Sequence, residues 1–133
     1  MARLLQLNHD ATTTAARMTH PRTGKNIRKF GLKRVCIWNE QGTVGGAFNI
    51  NSENSGGVGL WGVVEIYDST STSPAAGDLV MRIPVSGKSR LTFDLPDNGI
   101  IFKDGVVVDI GSEKSNNGSK PMSIQLLGYE YSV

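Results

Sequence analysis

Short runs of apolar residues, separated by Gly, Pro, Asn, Asp and Ser, recur along most of the chain. Apolar residues alternate with other residues at positions 91–95. Two apolar runs rich in β-branched residues then occupy residues 100–102 and 106–108, on either side of Asp104-Gly105. An Asp-Gly pair between such runs is typical of a two-residue β-hairpin, because a type I′ turn needs two residues that tolerate a positive φ angle. The pattern therefore predicts a hairpin between two core strands.

The same criteria predict several further strands. They fall at residues 33–38, 44–50, 60–67, 79–83 and 123–131, and residues 1–7 are apolar enough to add one more. The side chains of the last strand that we expect to face inward are Ile124, Leu126, Tyr129 and Tyr131. Pro84 cannot donate a backbone hydrogen bond, so the strand that ends there is expected at an edge or an end of a sheet.

About eight short strands in 133 residues predict a single all-β domain. No window carries apolar residues at i, i+3, i+4 and i+7 over three turns, so any helix is short. Turn-forming residues between the strands favour an antiparallel β-sandwich, with either a jelly-roll or an immunoglobulin-like arrangement.

The first part of the chain has a different character. Residues 8–30 show neither helical nor strand periodicity, apart from a turn at residues 20–24. Residues 1–31 are therefore predicted to form an extended N-terminal arm in front of a sandwich domain at residues 32–133. Residues 1–34 carry eight basic residues and one acidic residue, whereas the rest carries six basic and eleven acidic residues. A basic arm on an acidic body is a distinct organisation that calls for an explanation.

Three roles are open to such an arm. It could neutralise nucleic-acid phosphates, lie along an acidic protein surface such as the body of a neighbouring copy, or remain a solvated tail. Phe30 is its only aromatic residue, so it lacks the interleaved rings of a single-strand binder, and nucleic acid is disfavoured. A protein contact, made by adding a strand to a sheet edge, is favoured. The predicted contact residues are Leu4, Leu5, Leu7, Arg17, Arg22, Lys25, Arg28 and Lys29.

Candidate chemical groups are few. Cys36 is the single cysteine, which excludes an internal disulfide, and its apolar neighbours predict a buried, inert thiol. His9 and His20 are the only histidines and make a poor metal set. No nucleophile elbow is present, so neither an enzyme nor a cofactor is expected.

Two loops superficially resemble binding motifs. Residues 86–89 read Ser-Gly-Lys-Ser, but Arg82 stands where a phosphate-binding loop needs Gly, so a hairpin turn is predicted there. The aspartates near the predicted hairpin are too scattered for a calcium loop and are interpreted as turn residues. They are Asp94, Asp97, Asp104 and Asp109.

No apolar run approaches the roughly 18 residues that a membrane span needs. The apolar run at the N-terminus is also too short for the core of a signal peptide. Synthesis in a cytoplasm is therefore expected.

The last 74 residues carry a resemblance. A strand that ends in Glu65-Ile66-Tyr67-Asp68 precedes a polar loop, and residues 79–85 and 91–95 follow, separated by a turn. Gly99-Ile-Ile-Phe-Lys-Asp-Gly-Val-Val-Val108 and an aromatic last strand complete the order. This order resembles the small all-β virion proteins of tailed bacteriophages, many of which are capsid decoration (cement) proteins. The first 34 residues are not covered by it.

The resemblance implies a β-sandwich present in many copies on a virion, without catalytic residues. Together with the predicted arm, it leads us to expect a non-enzymatic capsid decoration protein that is made in the host cytoplasm and bridges neighbouring capsid subunits. Its expected partners are the major capsid protein and neighbouring copies of itself in a homo-oligomer. The alternative is a tail, fibre or adaptor module that binds a host surface or glycan through Trp38, Trp61 or the loop at residues 51–59.

Overall fold

The computed structural model describes residues 2–10, 15–39, 62–85, 89–111 and 122–131. These residues form nine strands: β1 (Ala2–Asp10), β2 (Ala16–Arg17), β3 (Lys29–Asn39), β4 (Gly62–Asp68), β5 (Leu79–Val85), β6 (Ser89–Asp94), β7 (Ile100–Phe102), β8 (Val106–Gly111) and β9 (Met122–Tyr131). A 3-10 turn at Ala76–Asp78 is the one helical element in the described part of the chain.

The strands form two antiparallel sheets that pack together as a β-sandwich. Sheet A has the order β1-β9-β3-β6, and β7 pairs with β3 beyond the end of β6. Sheet B has the order β2-β8-β4-β5. The prediction of an all-β antiparallel sandwich is confirmed, and β5, which contains Pro84, lies at an edge as expected.

The core lies between the sheets and is built from alternate residues of the long strands. On β3, Val35 and Ile37 point inward and are fully buried. On β9, Ile124 and Leu126 are buried as predicted. Cys36 was predicted to be buried, but alternation turns it to the outer face of sheet A, where it is half-buried. That prediction was wrong because an apolar sequence neighbourhood does not determine the facing of a strand residue.

The predicted N-terminal arm is part of the sandwich. β1 pairs with β9 at nine successive positions, from Ala2 opposite Tyr131 to Asp10 opposite Ser123. The predicted boundary between residues 31 and 32 falls inside β3. The side chains that this segment buries in the common core are Leu5, Leu7, Met18, Ile27 and Phe30. A free arm is therefore corrected to an edge strand followed by short connecting pieces.

The predicted hairpin at Asp104-Gly105 is also wrong. β7 pairs with β3 in sheet A, whereas β8 pairs with β2 and β4 in sheet B, so this link crosses from one sheet to the other. Neither residue of the link has a positive φ angle. Glycine is needed for a different reason, because a Cβ at Gly105 would lie 2.6 Å from the carbonyl oxygen of Ser69.

A hairpin turn was also predicted at residues 86–89. β5 belongs to sheet B and β6, which begins at Ser89, belongs to sheet A. Residues 86–88 themselves and the predicted strand at residues 44–50 lie outside the described residues.

Candidate functional site

A row of residues crosses four strands on the outer face of sheet A. Leu4 on β1 lies opposite Tyr129 on β9, Tyr129 lies opposite Gly31 on β3, and Gly31 lies opposite Ile101 on β7. The exposed fractions are 56% for Leu4, 39% for Tyr129 and 37% for Ile101. We call Leu4, Tyr129 and Ile101 the apolar row.

Gly31 lets the side chains on either side of it close over the sheet. A Cβ at this position would lie 3.1 Å from a ring carbon of Tyr131 and 3.2 Å from Cδ1 of Ile101. Tyr131 and Ile101 therefore converge above the backbone of Gly31. The apolar surface continues across the middle of the row instead of being divided by a side chain from β3.

Charged residues bound the apolar row in both directions along the strands. On one side, Lys29 lies opposite Tyr131, with its Nζ 5.5 Å from the centre of the ring. On the other side, Arg34 and Asp94 form an exposed ion pair with 2.6 Å between Nε and Oδ1. The hydrogen bond from Arg34 lowers the pKa of the Asp94 carboxyl. An apolar centre with a charged rim is the usual composition of a protein interface.

A basic turn lies next to β3 at the same end of the sheet. Thr19 and Asn26 form an isolated bridge, and the backbone N–H of His20 donates to the carbonyl of Lys25 at 2.7 Å. Gly24 has a φ of 72° and donates its N–H to His20 at 2.9 Å, which confirms the turn predicted at residues 20–24. We call residues 19–26 the basic turn, because Arg22 and Lys25 are exposed on it.

Buried residues hold the basic turn in place. Met18 and Ile27, which flank it, are buried in the core. His20 is also buried, and its Nδ1 accepts a hydrogen bond from the backbone N–H of Arg22 at 3.1 Å. Its Nε2 lies 3.8 Å from Oε1 of Glu130 on β9. The turn is therefore an anchored projection of the sandwich.

The predicted contact residues divide into two groups. Those that are exposed at this end of the molecule are Leu4, Arg22, Lys25, Arg28 and Lys29. Leu5 and Leu7 alternate with Leu4 and point into the core, so they are corrected from contact residues to core residues.

Arg17 is corrected in the same way, because it supports the fold. Its half-buried guanidinium donates to the carbonyl oxygens of Thr70 at 3.4 Å, Ile27 at 3.5 Å and Asp104 at 3.3 Å. These contacts connect the segment before β3, the segment after β4 and the link between β7 and β8. A side chain engaged in this way is not available to a partner.

Tyr129, Tyr131 and Ile101 were not predicted from the sequence to lie at the candidate surface. Tyr129 and Tyr131 were predicted to face inward, yet the strand alternation that turns Ile124 and Leu126 inward places positions 129 and 131 outward. The parity of β9 could thus have identified Tyr129. Ile101 had no such signal, because its place beside Gly31 depends on pairing between distant segments.

The outer face of sheet B carries acidic residues. Glu65 on β4 lies opposite Asp109 on β8 and opposite Arg82 on β5, with 3.7 Å between Nε of Arg82 and Oε2 of Glu65. The hydroxyl of Tyr67 donates to Glu65 at 3.0 Å, and partial burial together with this bond raises the pKa of Tyr67. Two carboxylates, those of Glu65 and Asp109, thus lie on the outer face of sheet B beside the exposed Arg82.

Trp38 lies near the other end of sheet A. It is 43% exposed, and the guanidinium carbon of Arg90 lies 4.9 Å from the centre of its ring. The other two features of the predicted glycan site, Trp61 and residues 51–59, lie outside the described residues.

The titratable groups are dispersed. In the described ranges, no group of three or more His, Cys, Asp or Glu side chains is placed to hold a metal ion. The half-exposed thiol of Cys36 accepts a hydrogen bond from the Thr92 hydroxyl at 3.2 Å. No helix among the described residues has the length and apolar character to cross a membrane.

Comparison with protein-family models and with curated proteins gives no match for this chain.

Proposed function

We propose that this protein is a non-enzymatic structural protein of a bacteriophage virion, a decoration protein that docks on the capsid through the outer face of sheet A. The observation that carries the proposal is the apolar row. Its exposed side chains come from three strands and occupy one line across sheet A, with Lys29 and an ion pair at the rim. Contiguous exposed apolar surface of this kind marks an interaction site, whereas scattered exposed leucines do not.

The surrounding charge favours an acidic protein partner. Lys29, Arg28 and the basic turn are exposed at the same end as the apolar row. Complementary carboxylates on a capsid subunit would align it, while burial of Leu4, Tyr129 and Ile101 would supply most of the affinity. The apolar row and the basic turn offer two contact elements, and we assign them to neighbouring subunits of the major capsid protein.

Nucleic acid is less well supported as a partner. Several basic side chains near the N-terminus are already paired with other groups of the protein. Arg17 donates to three carbonyl groups, Lys33 donates to the carbonyls of Leu95 and Asp97, and Arg34 is paired with Asp94. Phosphate binding depends on the number of free cations, and these contacts reduce that number. The resemblance of the last 74 residues to phage virion proteins also supports a place on a particle.

Localisation on the virion tests the proposal. Virions purified from the wild-type phage should show density at symmetry-related positions on the outer capsid surface. Virions from a phage in which the gene for this protein is deleted should lack that density. Difference imaging by electron microscopy measures this, and quantitative mass spectrometry gives the copy number. If wild-type particles do not contain the protein, or carry it only on the tail, the proposal is contradicted.

Trp38 favours a second candidate function. An exposed tryptophan beside Arg90 can stack on a sugar ring, as expected for a tail, fibre or adaptor module that binds a host surface or glycan. A glycan array probed with the isolated protein tests this. Binding that is lost in Trp38→Ala would favour the second candidate, and no binding on the array would eliminate it.

A further inference from the structure

β1 presents a long and regular edge. It has nine residues, contains no proline, and keeps an uninterrupted register with β9 along its whole length. Within the described residues, no strand pairs with its other edge. That edge therefore offers a row of backbone donors and acceptors to another strand.

The other three sheet edges formed by the described strands are each unsuited to pairing. β5 carries Pro84, which lacks an N–H group, and β2 is only two residues long. The edge formed by β6 and β7 is interrupted by residues 95–99, where Asp97 and Gly99 adopt φ angles of 54° and 74°. These are devices that block strand addition, and β1 has none of them.

We infer that β1 pairs antiparallel with β1 of a second copy, centred on Gln6, so that two copies of sheet A form one continuous sheet with five strands from each copy. Only this centre gives an overlap of all nine residues, because β1 runs from Ala2 to Asp10. With a two-fold axis through Gln6, paired positions differ by an even number. The side chains of each pair therefore lie on the same face of the joined sheet.

The sequence of β1 suits this pairing. On the core face, Leu5 lies opposite Leu7 of the second copy, so apolar side chains meet on both sides of the axis. Arg3 lies near one end of the strand and Asp10 at the other. Antiparallel alignment places Arg3 opposite His9 and Asp10 opposite Ala2 of the second copy, whereas parallel alignment in register would place Arg3 opposite Arg3 and Asp10 opposite Asp10.

The pairing would have a consequence for the candidate surface. A two-fold axis perpendicular to the sheet leaves both outer faces on the same side, so the two apolar rows would face one surface together. The pairing itself does not depend on the virion role, because it concerns the isolated protein in solution.

The test introduces a charged side chain at Gln6, on the proposed two-fold axis. Gln6 is exposed on the outer face and would lie opposite its own copy. Gln6→Lys and Gln6→Glu each place two like charges directly opposite, and we expect the dimer dissociation constant to rise about fivefold or more at low salt. An equimolar mixture of the two variants should associate more tightly than either alone. Gln125→Lys, an exposed position on the same face but on the inner strand β9, is the matched control.

Sedimentation of the full chain measures these constants, and circular dichroism confirms that each variant is folded. The inference requires a wild-type species of twice the 14.3 kDa chain mass, a weakened dimer for both Gln6 variants, recovery in the mixture, and no change for Gln125→Lys. A monomeric wild-type protein, Gln6 variants that dimerise as wild type does, or a mixture without recovery would each overturn it. Virion localisation can succeed or fail independently of any of these results.

Discussion

The carboxylate of Asp68 accepts a hydrogen bond from the backbone N–H of Asp104 at 2.8 Å, through Oδ1. It also accepts from the N–H groups of Lys103 at 2.9 Å and Gly105 at 3.3 Å. One side chain at the end of β4 thus satisfies three successive N–H groups of the link between β7 and β8. This capping takes the place of the hydrogen bonds that a hairpin would have formed between those strands.

Replacement of Asp68 by Ala should therefore destabilise the protein. We expect the free energy of unfolding to fall by about 2 kcal/mol, because three N–H groups lose a charged acceptor. Urea unfolding measures the change. Asp104→Ala is the matched control, since its exposed side chain lies in the same link, and it should change the free energy by less than about 0.5 kcal/mol. Equal losses in the two variants would contradict the assigned role.

Alanine substitutions at Gly99 and Gly24 distinguish the cost of a steric clash from the cost of backbone strain. Both glycines have positive φ angles, 74° and 72°, but a Cβ at Gly99 would lie 2.0 Å from the carbonyl oxygen of Leu32, whereas nothing lies within 4 Å at Gly24. Gly24→Ala should lower the free energy of unfolding by about 1 kcal/mol from strain alone. Gly99→Ala should lower it by at least about 2 kcal/mol more, because the backbone must also move. Similar values for both variants in urea unfolding would contradict this account.

Leu7 and Leu4 test the incorporation of β1 into the sandwich. Leu7 is 2% exposed, so Leu7→Ala should lower the free energy of unfolding by roughly 2–5 kcal/mol through the cavity that it leaves. Leu4→Ala on the outer face should change it by less than about 0.5 kcal/mol. Denaturant unfolding of both variants provides the comparison. If Leu7→Ala were as stable as Leu4→Ala, residues 2–10 would be a free arm after all.

His9 should make the stability depend on pH. Burial lowers the pKa of His9, with a smaller opposing effect from Asp10, so protonation is less favourable in the folded protein than in the unfolded chain. The contribution of His9 to stability is thus complete above the ordinary value of 6.5 and is lost as the pH falls through the lowered, folded-state pKa. The free energy of unfolding of wild type minus that of His9→Gln should decrease from about pH 8 to about pH 5. A constant difference would show that His9 titrates alike in both states.

Local sequence patterns predicted the strands whose residues alternate over several positions. β3 and β9 are examples, because Val35, Ile37, Ile124 and Leu126 repeat at every second position. Residues 15–28, the described part between β1 and β3, lack such a pattern because they form a two-residue strand, a single bridge and a turn. Each piece is too short to show a period, although its side chains reach the core.

The pairing of strands could not be derived from local signals. The Asp104-Gly105 pair has the composition of a hairpin turn, yet Phe102 pairs with Phe30 in one sheet and Val107 pairs with Tyr67 in the other. Distant contacts, among them those of Asp68 and Arg17, determine that crossing. The candidate site was predicted only in part for the same reason: Leu4 was predicted as a contact residue, whereas the position of Ile101 depends on pairing between distant segments.

Binding of purified protein to particles that lack it tests the central claim, that the apolar row is the docking surface. Ile101→Asn removes an apolar side chain from the row at a position away from β1, and Thr92→Asn makes a comparable surface change on the same face outside the row. We expect Ile101→Asn to weaken binding at least about tenfold, while Thr92→Asn should bind as the wild type does. Equal binding by the wild type and both variants would contradict it.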